Sequence, residues 1–553
     1  MAQREKLSNV DTAWLRMEHP TNLMMISGVM TFDGRVEFNR LRALLEERLL
    51  HFERFRQRVV QPRNPLSPPY WETVPDFDIE DHLFRFTPPV SDQAALQDLS
   101  SRLMSTPLDF DKPLWEFHFI ENYRQGDSAL FCRLHHCIAD GIALVRVLLS
   151  LTDDSPEGAW QAGRDDVRRR VPAGPLERFF LRAAATSRAG QKISRRLIHE
   201  SRALLREPSR LVRAAELGVE GAAALARIAL RPPDPTTIFK GPLGVQKRAA
   251  WSQPLPLAAV KAVGKATGAT VNDVLLTAMS GALRRYMLAR GQDVEGLRIG
   301  AAVPVNLRPL DGPIELGNKF GLVFLSLPVG VESPIERLYQ LKRNMDAIKG
   351  SPEPVVSFGI LNAMGMAPAE IERLVVNIFG MKVTAVMTNV PGPRQTIYLA
   401  GQPVRNIMFW VPQSGRLGLG ISILSYDGQV LLGVASDAGL VPDPENIVSE
   451  FHSEFYELEG AVERLKSTTG PVSPNRRALD DLHAQLDRLL EIVDELSGAQ
   501  GGLPRQPAAA IAEEAQQEMK YCQGTTKAGT PCRKRPKAGS RYCHLHQERR
   551  EAL

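Results

Sequence analysis

The residues of this chain best suited to bond chemistry form one short run, Leu134-His135-His136-Cys137-Ile138-Ala139-Asp140-Gly141. An imidazole titrates near neutrality, so a histidine with a free ring nitrogen in a cleft can remove a proton from a hydroxyl group. Asp140 can cap a helix or pair with a cation, and Gly141 lets the backbone turn tightly without a side chain filling the cleft. A lone histidine in such a place is more often a plain strand-end residue, with the aspartate a helix cap. Two adjacent histidines followed by Asp-Gly are a far rarer accident. Cys137, immediately after the pair, reads as a small buried residue rather than a nucleophile.

A second group lies near the end of the chain. Cys522, Cys532 and Cys543 are about ten residues apart, and His546 follows. Together they supply a four-coordinate zinc site of the Cys3His type. His544 competes as the fourth ligand, but Cys543 and His546 have the better spacing for chelation. Glycines and Pro531 provide turns, and with too few apolar residues for a core the metal would organise the segment. Lys527, Arg533, Lys534, Arg535 and Lys537 could meet phosphate groups of nucleic acid, CoA or lipid, or simply solubilise the segment.

The histidine run needs elements to hold it. Residues 129–134 read as a short strand and 142–151 as a helix, so the histidines sit where a strand ends and a helix begins, a usual place for functional side chains in α/β layers. Leu41, Leu44, Leu45, Leu49 and Phe52 recur at helical spacing, predicting one helix over 36–58. A first mixed α/β body therefore spans 1–154. Residues 155–237 change character: they are rich in Arg and Ala, broken by prolines, and read as a helical linker. A second α/β body covers 238–468. Residues 469–519 read as a helix (Leu479, Leu482, Leu486, Leu489, Leu490, Val493) and a low-complexity spacer, and 520–553 hold the Cys/His module.

Bulk properties exclude several classes. With 553 residues, at least two cores are expected. Five cysteines do not make a secreted disulfide scaffold, and neither a signal peptide nor a membrane-spanning run is evident, so a cytoplasmic protein is expected. The net charge of +5 hides two basic segments: residues 164–231 carry an excess of about nine positive charges and the chain after Met519 about seven, leaving the remainder acidic. Nucleic-acid binding is accordingly not expected of the protein as a whole. Around 191–206, Ile193, Leu197, Ile198, Leu204 and Leu205 share a helical face, with Arg195, Arg196, Arg202 and Arg206 largely off it. Such a helix suits an anionic lipid surface, or equally a stripe packed on its own body.

The pattern His-His-x-x-x-Asp-Gly resembles the signature of CoA-dependent acyltransferases, shared with nonribosomal peptide condensation domains. The neighbouring blocks resemble the bacterial wax ester synthase/diacylglycerol acyltransferase family: Leu7-Ser8-Asn9-Val10-Asp11 with Trp14 and Glu18, Pro113-Leu114-Trp115-Glu116, and Val271-Asn272-Asp273-Val274. Further along are Pro304-Val305-Asn306-Leu307-Arg308, Leu316-Gly317-Asn318, Thr388-Asn389-Val390-Pro391-Gly392-Pro393 and Ser425-Tyr426-Asp427-Gly428. These span residues 7–465. The histidine that many relatives carry near Met24 and Met25 is missing here, and the Cys/His tail lies outside the family pattern, resembling small modules appended to varied bacterial proteins.

The resemblance implies an α/β fold of two chloramphenicol-acetyltransferase-like lobes with an active-site tunnel between them. It makes His136 the base that deprotonates a long-chain alcohol or diacylglycerol, whose oxygen attacks acyl-CoA directly, with His135 supporting. No catalytic cofactor is implied; acyl-CoA is a substrate, and zinc belongs to the tail alone. Asp140 would order the site with Arg308 as its partner, because a lone buried carboxylate is costly. Asn272 and Asp273 read as the N-cap and first-turn acid of a helix, with Asn272 also the candidate donor to the oxyanion. Wax ester or triacylglycerol would be made at a peripheral membrane or lipid-droplet surface. The competing readings are an acyltransferase acting on a polyketide or peptidyl acceptor, and a non-catalytic lipid-surface scaffold.

Overall fold

The computed structural model describes residues 4–64, 67–157, 230–308, 315–349, 351–413, 415 and 417–468. The expected helical linker falls mostly on 158–229, and the later helix, the spacer and the Cys/His module on 469–553; all lie outside the described residues. What is described is a two-lobed α/β architecture with two large hydrophobic clusters, one beneath each main sheet.

The first lobe opens with β1 (Arg4–Lys6), α1 (Asn9–Arg16) and β2 (Met25–Phe32). Then come α2 (Phe38–Leu44), β3 (Gln57–Val60), β4 (Tyr70–Thr73), β5 (Leu83–Phe86) and α3 (Gln93–Met104), followed by β6 (Trp115–Tyr123), β7 (Asp127–His135) and α4 (Gly141–Ser150). The second lobe holds β8 (Lys247–Trp251), β9 (Leu255–Pro256), α5 (Leu257–Thr267), α6 (Val271–Leu288), β10 (Ile299–Asn306) and β11 (Phe320–Leu327). After these come α7 (Pro334–Ile348), α8 (Glu353–Met364), α9 (Ala369–Met381) and β12 (Ala385–Pro391). The chain closes with β13 (Tyr398–Leu399), β14 (Gln402–Trp410), β15 (Leu419–Tyr426), β16 (Gln429–Asp437) and α10 (Pro444–Thr468).

One sheet runs β13-β14-β2-β7-β6-β5, a second β11-β10-β12-β15-β16-β8 with β9 paired to β16, and a small third β1-β4-β3. Residues 398–410 therefore leave the second lobe and extend the first sheet, Trp410 opposite Ser27 and Ile407 opposite Met30. The second body is not self-contained: 238–468 contributes strands to both sheets. The exchange joins the lobes through backbone hydrogen bonds rather than side-chain contact alone. Strand β8, an edge of the second sheet, is in turn covered by α3 of the first lobe. Ser105 and Ser101 Oγ accept from the amides of Lys247 (2.8 Å) and Ala249 (2.9 Å), which satisfies donors that an open edge would leave exposed.

The strand expected over 129–134 is there and longer, and α4 matches the helix expected next. The single helix over 36–58 is not formed. After α2 the chain passes through a π turn at Leu45–Leu49 and a 3-10 turn at Glu53–Arg56, then enters β3. Leu41, Leu44, Leu45 and Leu49 are buried and Phe52 is half-buried against the same core, so the apolar periodicity marks a real inner face. The turn into β3 broke the helix without exposing that face.

Candidate active site

The register of β7 against β2, Met25 opposite His135, carries the chain to the sheet's end, where it must turn into α4. The His136 amide closes that turn by donating to Met24 O at 2.7 Å. His135 points into the protein and is fully buried. Its Nδ1 accepts from the Cys137 amide at 3.1 Å, and its Nε2 lies 3.4 Å from the Glu18 carboxylate. Burial pushes the Cys137 thiol well up, so this sulfur is held protonated and unreactive.

His136 lies on the wall of a cavity of about 1180 Å³, counting its open end. The imidazole stacks on Trp14, ring centres 3.9 Å apart and planes 17° from parallel, with Phe320 at 5.8 Å. Burial lowers its pKa to about 4, against the opposing pull of Asp140. The ring is neutral at physiological pH, the protonation state a general base needs, at some cost in basicity. Apart from Trp14, His136 and Asp140, the polar side chains on the cavity wall are Asn306, Thr388 and Asn389; most of the remainder is aliphatic and aromatic. That lining suits an acyl or alkyl chain with a few polar groups at one end.

Asp140 is committed elsewhere than to His136. One carboxylate oxygen caps α4 by accepting from the Ala143 amide at 3.0 Å. The other accepts from the Lys319 amide at 2.9 Å and from Arg308 Nη1. Arg308 Nη2 also donates to Gly317 O. Gly317 has a φ of +88°, a conformation that favours glycine, and exchanges backbone bonds with the histidine loop: its amide donates to Ile138 O at 2.9 Å, and its carbonyl accepts from the Asp140 amide at 3.3 Å. Residues 315–319 thus strap the 136–140 loop from the opposite lobe.

Asn318 completes the strap. Its Nδ2 donates both to the His136 carbonyl (2.8 Å) and to Asp11 Oδ1 (2.7 Å), and its amide donates to the same Asp11 oxygen. Asp11 sits in the first turn of α1, whose Ser8 cap accepts the Asp11 amide, and burial pushes its carboxyl above the usual range.

The structure brings His136, Asp140 and Gly141 to the cavity wall, with Arg308 paired to Asp140 and His135 directly behind, and does not bring Asn272 and Asp273 to that wall. The cap of α6 is Thr270, not Asn272; Asp273 closes a capping box with it, accepting from the Thr270 amide at 2.8 Å. Asn272 is buried one residue further in, and its Oδ1 accepts from Asn389 Nδ2. Asn389, not Asn272, lines the cavity, and Asn272 reaches it only through its hydrogen bond to Asn389. The tight-turn role given to Gly141 is also corrected. It opens α4 with no left-handed backbone, and a Cβ there would meet only Val411 at 4.0 Å, so its smallness keeps the cavity clear.

Cys522, Cys532, Cys543 and His546 lie outside the described residues. Among those described, no three His, Cys, Asp or Glu side chains are grouped to hold a metal ion. Trp14, Phe320, Asn306 and Asn318 had no role assigned from sequence, although Trp14, Asn306 and Asn318 fall inside the resemblance blocks. They share no single local signal: Trp14 lies in the second half of α1, Asn306 ends β10, Phe320 opens β11, and Asn318 follows Gly317 in the loop between those two strands.

Two lobes joined by strand exchange, with a buried imidazole from one lobe strapped by an arginine and an asparagine from the other, define a CoA-dependent acyltransferase-type fold. Two models of one family match the chain: the wax ester synthase/diacylglycerol acyltransferase catalytic domain over residues 7–275, and the WS/DGAT C-terminal domain over 316–459. A Mycobacterium tuberculosis protein assigned as a diacylglycerol O-acyltransferase is 27% identical over 478 residues, covering 83% of this chain and 90% of its own. The wax ester synthase/diacylglycerol acyltransferase of Marinobacter aquaeolei superposes with a TM-score of 0.58 at 21% identity, covering 83% of this chain and 99% of that one. The first condensation domain of the calcium-dependent antibiotic synthetase shares the fold, with a TM-score of 0.52 at 14% identity over 83% of this chain and 96% of its own. The chain belongs to the wax ester synthase/diacylglycerol acyltransferase family of O-acyltransferases.

Proposed function

We propose that this protein transfers an acyl group from acyl-CoA to a long-chain alcohol or to diacylglycerol, making wax ester or triacylglycerol, with His136 as general base. The observation that carries the reading is the neutral imidazole on the wall of a largely apolar cavity, fixed by Trp14 and Asn318. His136 takes the acceptor hydroxyl proton as that oxygen bonds to the thioester carbonyl carbon. The tetrahedral species collapses, the C–S bond breaks, and the imidazolium returns the proton to the CoA thiolate. No acyl-enzyme forms. Asp140, whose oxygens are taken by Ala143, Lys319 and Arg308, orders the loop and moves no proton. Zinc, if the tail binds it, has no part in these steps.

The test is an acceptor panel with purified full-length protein: palmitoyl-CoA with hexadecanol, dioleoylglycerol, or an aliphatic amine, reading free thiol and ester product. Ester formation with either hydroxyl acceptor, reduced by about 10² to 10⁴ in His136→Ala, is the expected result. Turnover of the amine alone would favour the peptidyl-acceptor reading. A His136→Ala enzyme keeping a third of its activity would sink the mechanism.

A further inference from the structure

Helix α9 separates the cavity from solvent. Phe379 and Gly380 on its inner side line the cavity, as does Val383 just beyond it. Its outer side is apolar and uncovered: Ile371, Leu374, Ile378 and Met381 are 52%, 59%, 38% and 43% exposed. Their spacing puts them on one stripe of the helix, with exposed Met366 just before it. Of the twelve exposed large hydrophobics among the described residues, these five fall within residues 366–381. Scattered exposed apolar residues need no explanation, but a cluster does.

The polar surroundings of the stripe are mainly basic. Arg373 projects from the helix; Arg16 Nη1 donates to Ala367 O at its start, and Lys240 Nζ donates to Met381 O at its end. Two acids offset them in part: Glu370, exposed on the helix 3.8 Å from Arg373, and Asp234, whose amide donates to Met381 O and whose carboxylate is taken by the Gly300 amide and Thr384 Oγ1. Arg231, whose carbonyl accepts Lys382 Nζ beside the same helix end, closes the sequence segment 164–231 with its excess of about nine positive charges.

We propose that the outer face of α9 docks the enzyme on an anionic lipid surface, holding the cavity one helix-width from the phase in which its acceptor dissolves. Apolar side chains with cations at both ends of the stripe supply the two signals, hydrophobic and electrostatic, that stable interfacial binding requires. The charge also argues against the other occupants. The chain's own 164–231 segment is net basic, and a second copy would bring the same cations face to face. The proposal rests on the lipid-acceptor reading above.

The test uses the full chain with Ile371→Glu, Leu374→Glu and Ile378→Glu combined, three exposed positions away from the cavity wall. Vesicles of phosphatidylcholine with roughly a third phosphatidylglycerol are sedimented with protein. The variant should partition about tenfold or more weakly while turning over a short, water-soluble alcohol at close to the wild-type rate. Wild-type vesicle binding by the triple variant overturns the proposal. A second measurement places an environment-sensitive dye on Leu374→Cys. A blue shift on adding vesicles supports docking through α9. An unchanged dye on vesicle-bound protein overturns it, and assigns the face to the chain's own segment or a second copy. Because sedimentation needs no turnover, lost binding in a preparation inactive on every acceptor would leave docking standing and sink the acyltransferase reading instead.

Discussion

Replacing Asp140 by Asn alters one oxygen in a buried site, and the consequences can be followed atom by atom. The amide oxygen of the introduced asparagine can keep the Ala143 cap, so the roughly 1 kcal/mol that a helix cap contributes need not be lost. The NH2 group then stands where Oδ2 accepted from Arg308 and from the Lys319 amide, setting donor against two donors. Both side chains of the pair are about 5% exposed or less, so the arginine cannot turn to water without displacing 315–319. Removing one partner of a buried pair costs about 3–5 kcal/mol, and the abandoned Lys319 amide adds to the upper end. Urea unfolding followed by tryptophan fluorescence should show the midpoint falling with little change of slope. Arg308→Met should be damaging alone, yet the double variant should lose less than the two single losses added, because each removes the other's orphan. Loss of activity should accompany loss of stability, since the strap that fails also holds the His136 carbonyl through Asn318. An Asp140→Asn protein unfolding within about 0.5 kcal/mol of wild type would refute this account of the pair.

The pKa of His136, lowered to about 4 by burial, predicts a level acid limb: kcat/KM for acyl-CoA should hold from about pH 8 down to about pH 5.5, and an inflection near the ordinary histidine value of about 6.5 would mean the ring is solvated in the working enzyme. Glu372 is buried with neither oxygen bonded among the described residues, and burial, opposed by Arg16, raises its pKa from 4.5 to about 7. Because the folded value lies above the unfolded one, the folded state holds the extra proton. Wild-type stability relative to Glu372→Gln should therefore fall between about pH 4.5 and 7 and then level, by about 3 kcal/mol in all; parallel pH profiles of the two proteins would disprove it. Truncation near Gln500 should remove one bound zinc, read by elemental analysis, and leave esterification intact. Lost activity would tie the tail to the catalytic body, and equal zinc in both proteins would place the metal elsewhere.

Local chemistry was legible wherever one segment carried the whole message. The histidine pair, the strand before it and the helix after it could be read because all three lie in one unbroken stretch of chain, from Asp127 to Ser150. The capping box of α6 was half read: the acid was recognised, but the cap was put on Asn272 because Thr270 and Asn272 are both good capping types and only the backbone tells them apart. The helix over 36–58 was over-extended because periodicity reports which residues are buried, not whether one helix or three short turns bury them. The passage of β14 into the first sheet left no local trace. Strand pairing is a choice among partners far apart in sequence, and the apolar run Ile407-Met408-Phe409-Trp410 that ends β14 would serve either sheet.

The hardest part to read was the chain of contacts that holds the imidazole. Asp11, His136 and Asn318 lie in three segments far apart in sequence, and each segment has an adequate local excuse: a helix start, a strand end, a loop beside glycine. The physical link is one amide group, Asn318 Nδ2, shared between the Asp11 carboxylate and the His136 carbonyl. A buried carboxylate with a raised pKa is costly to keep, and the asparagine both satisfies it and fixes the backbone of the base. The blocks that resemble the acyltransferase family therefore divide by destination. Those carrying Trp14, Asn306, Arg308, Asn318 and Asn389 converge on the histidine loop and its cavity. The block at Ser425–Gly428 instead makes the turn between β15 and β16, where Asp427 and Gly428 both have positive φ and the Tyr426 hydroxyl donates to Val404 O in β14. That last contact anchors the strand that crosses between lobes, so a block that does not line the cavity bears on it through β14, whose Phe409 stands on the cavity wall.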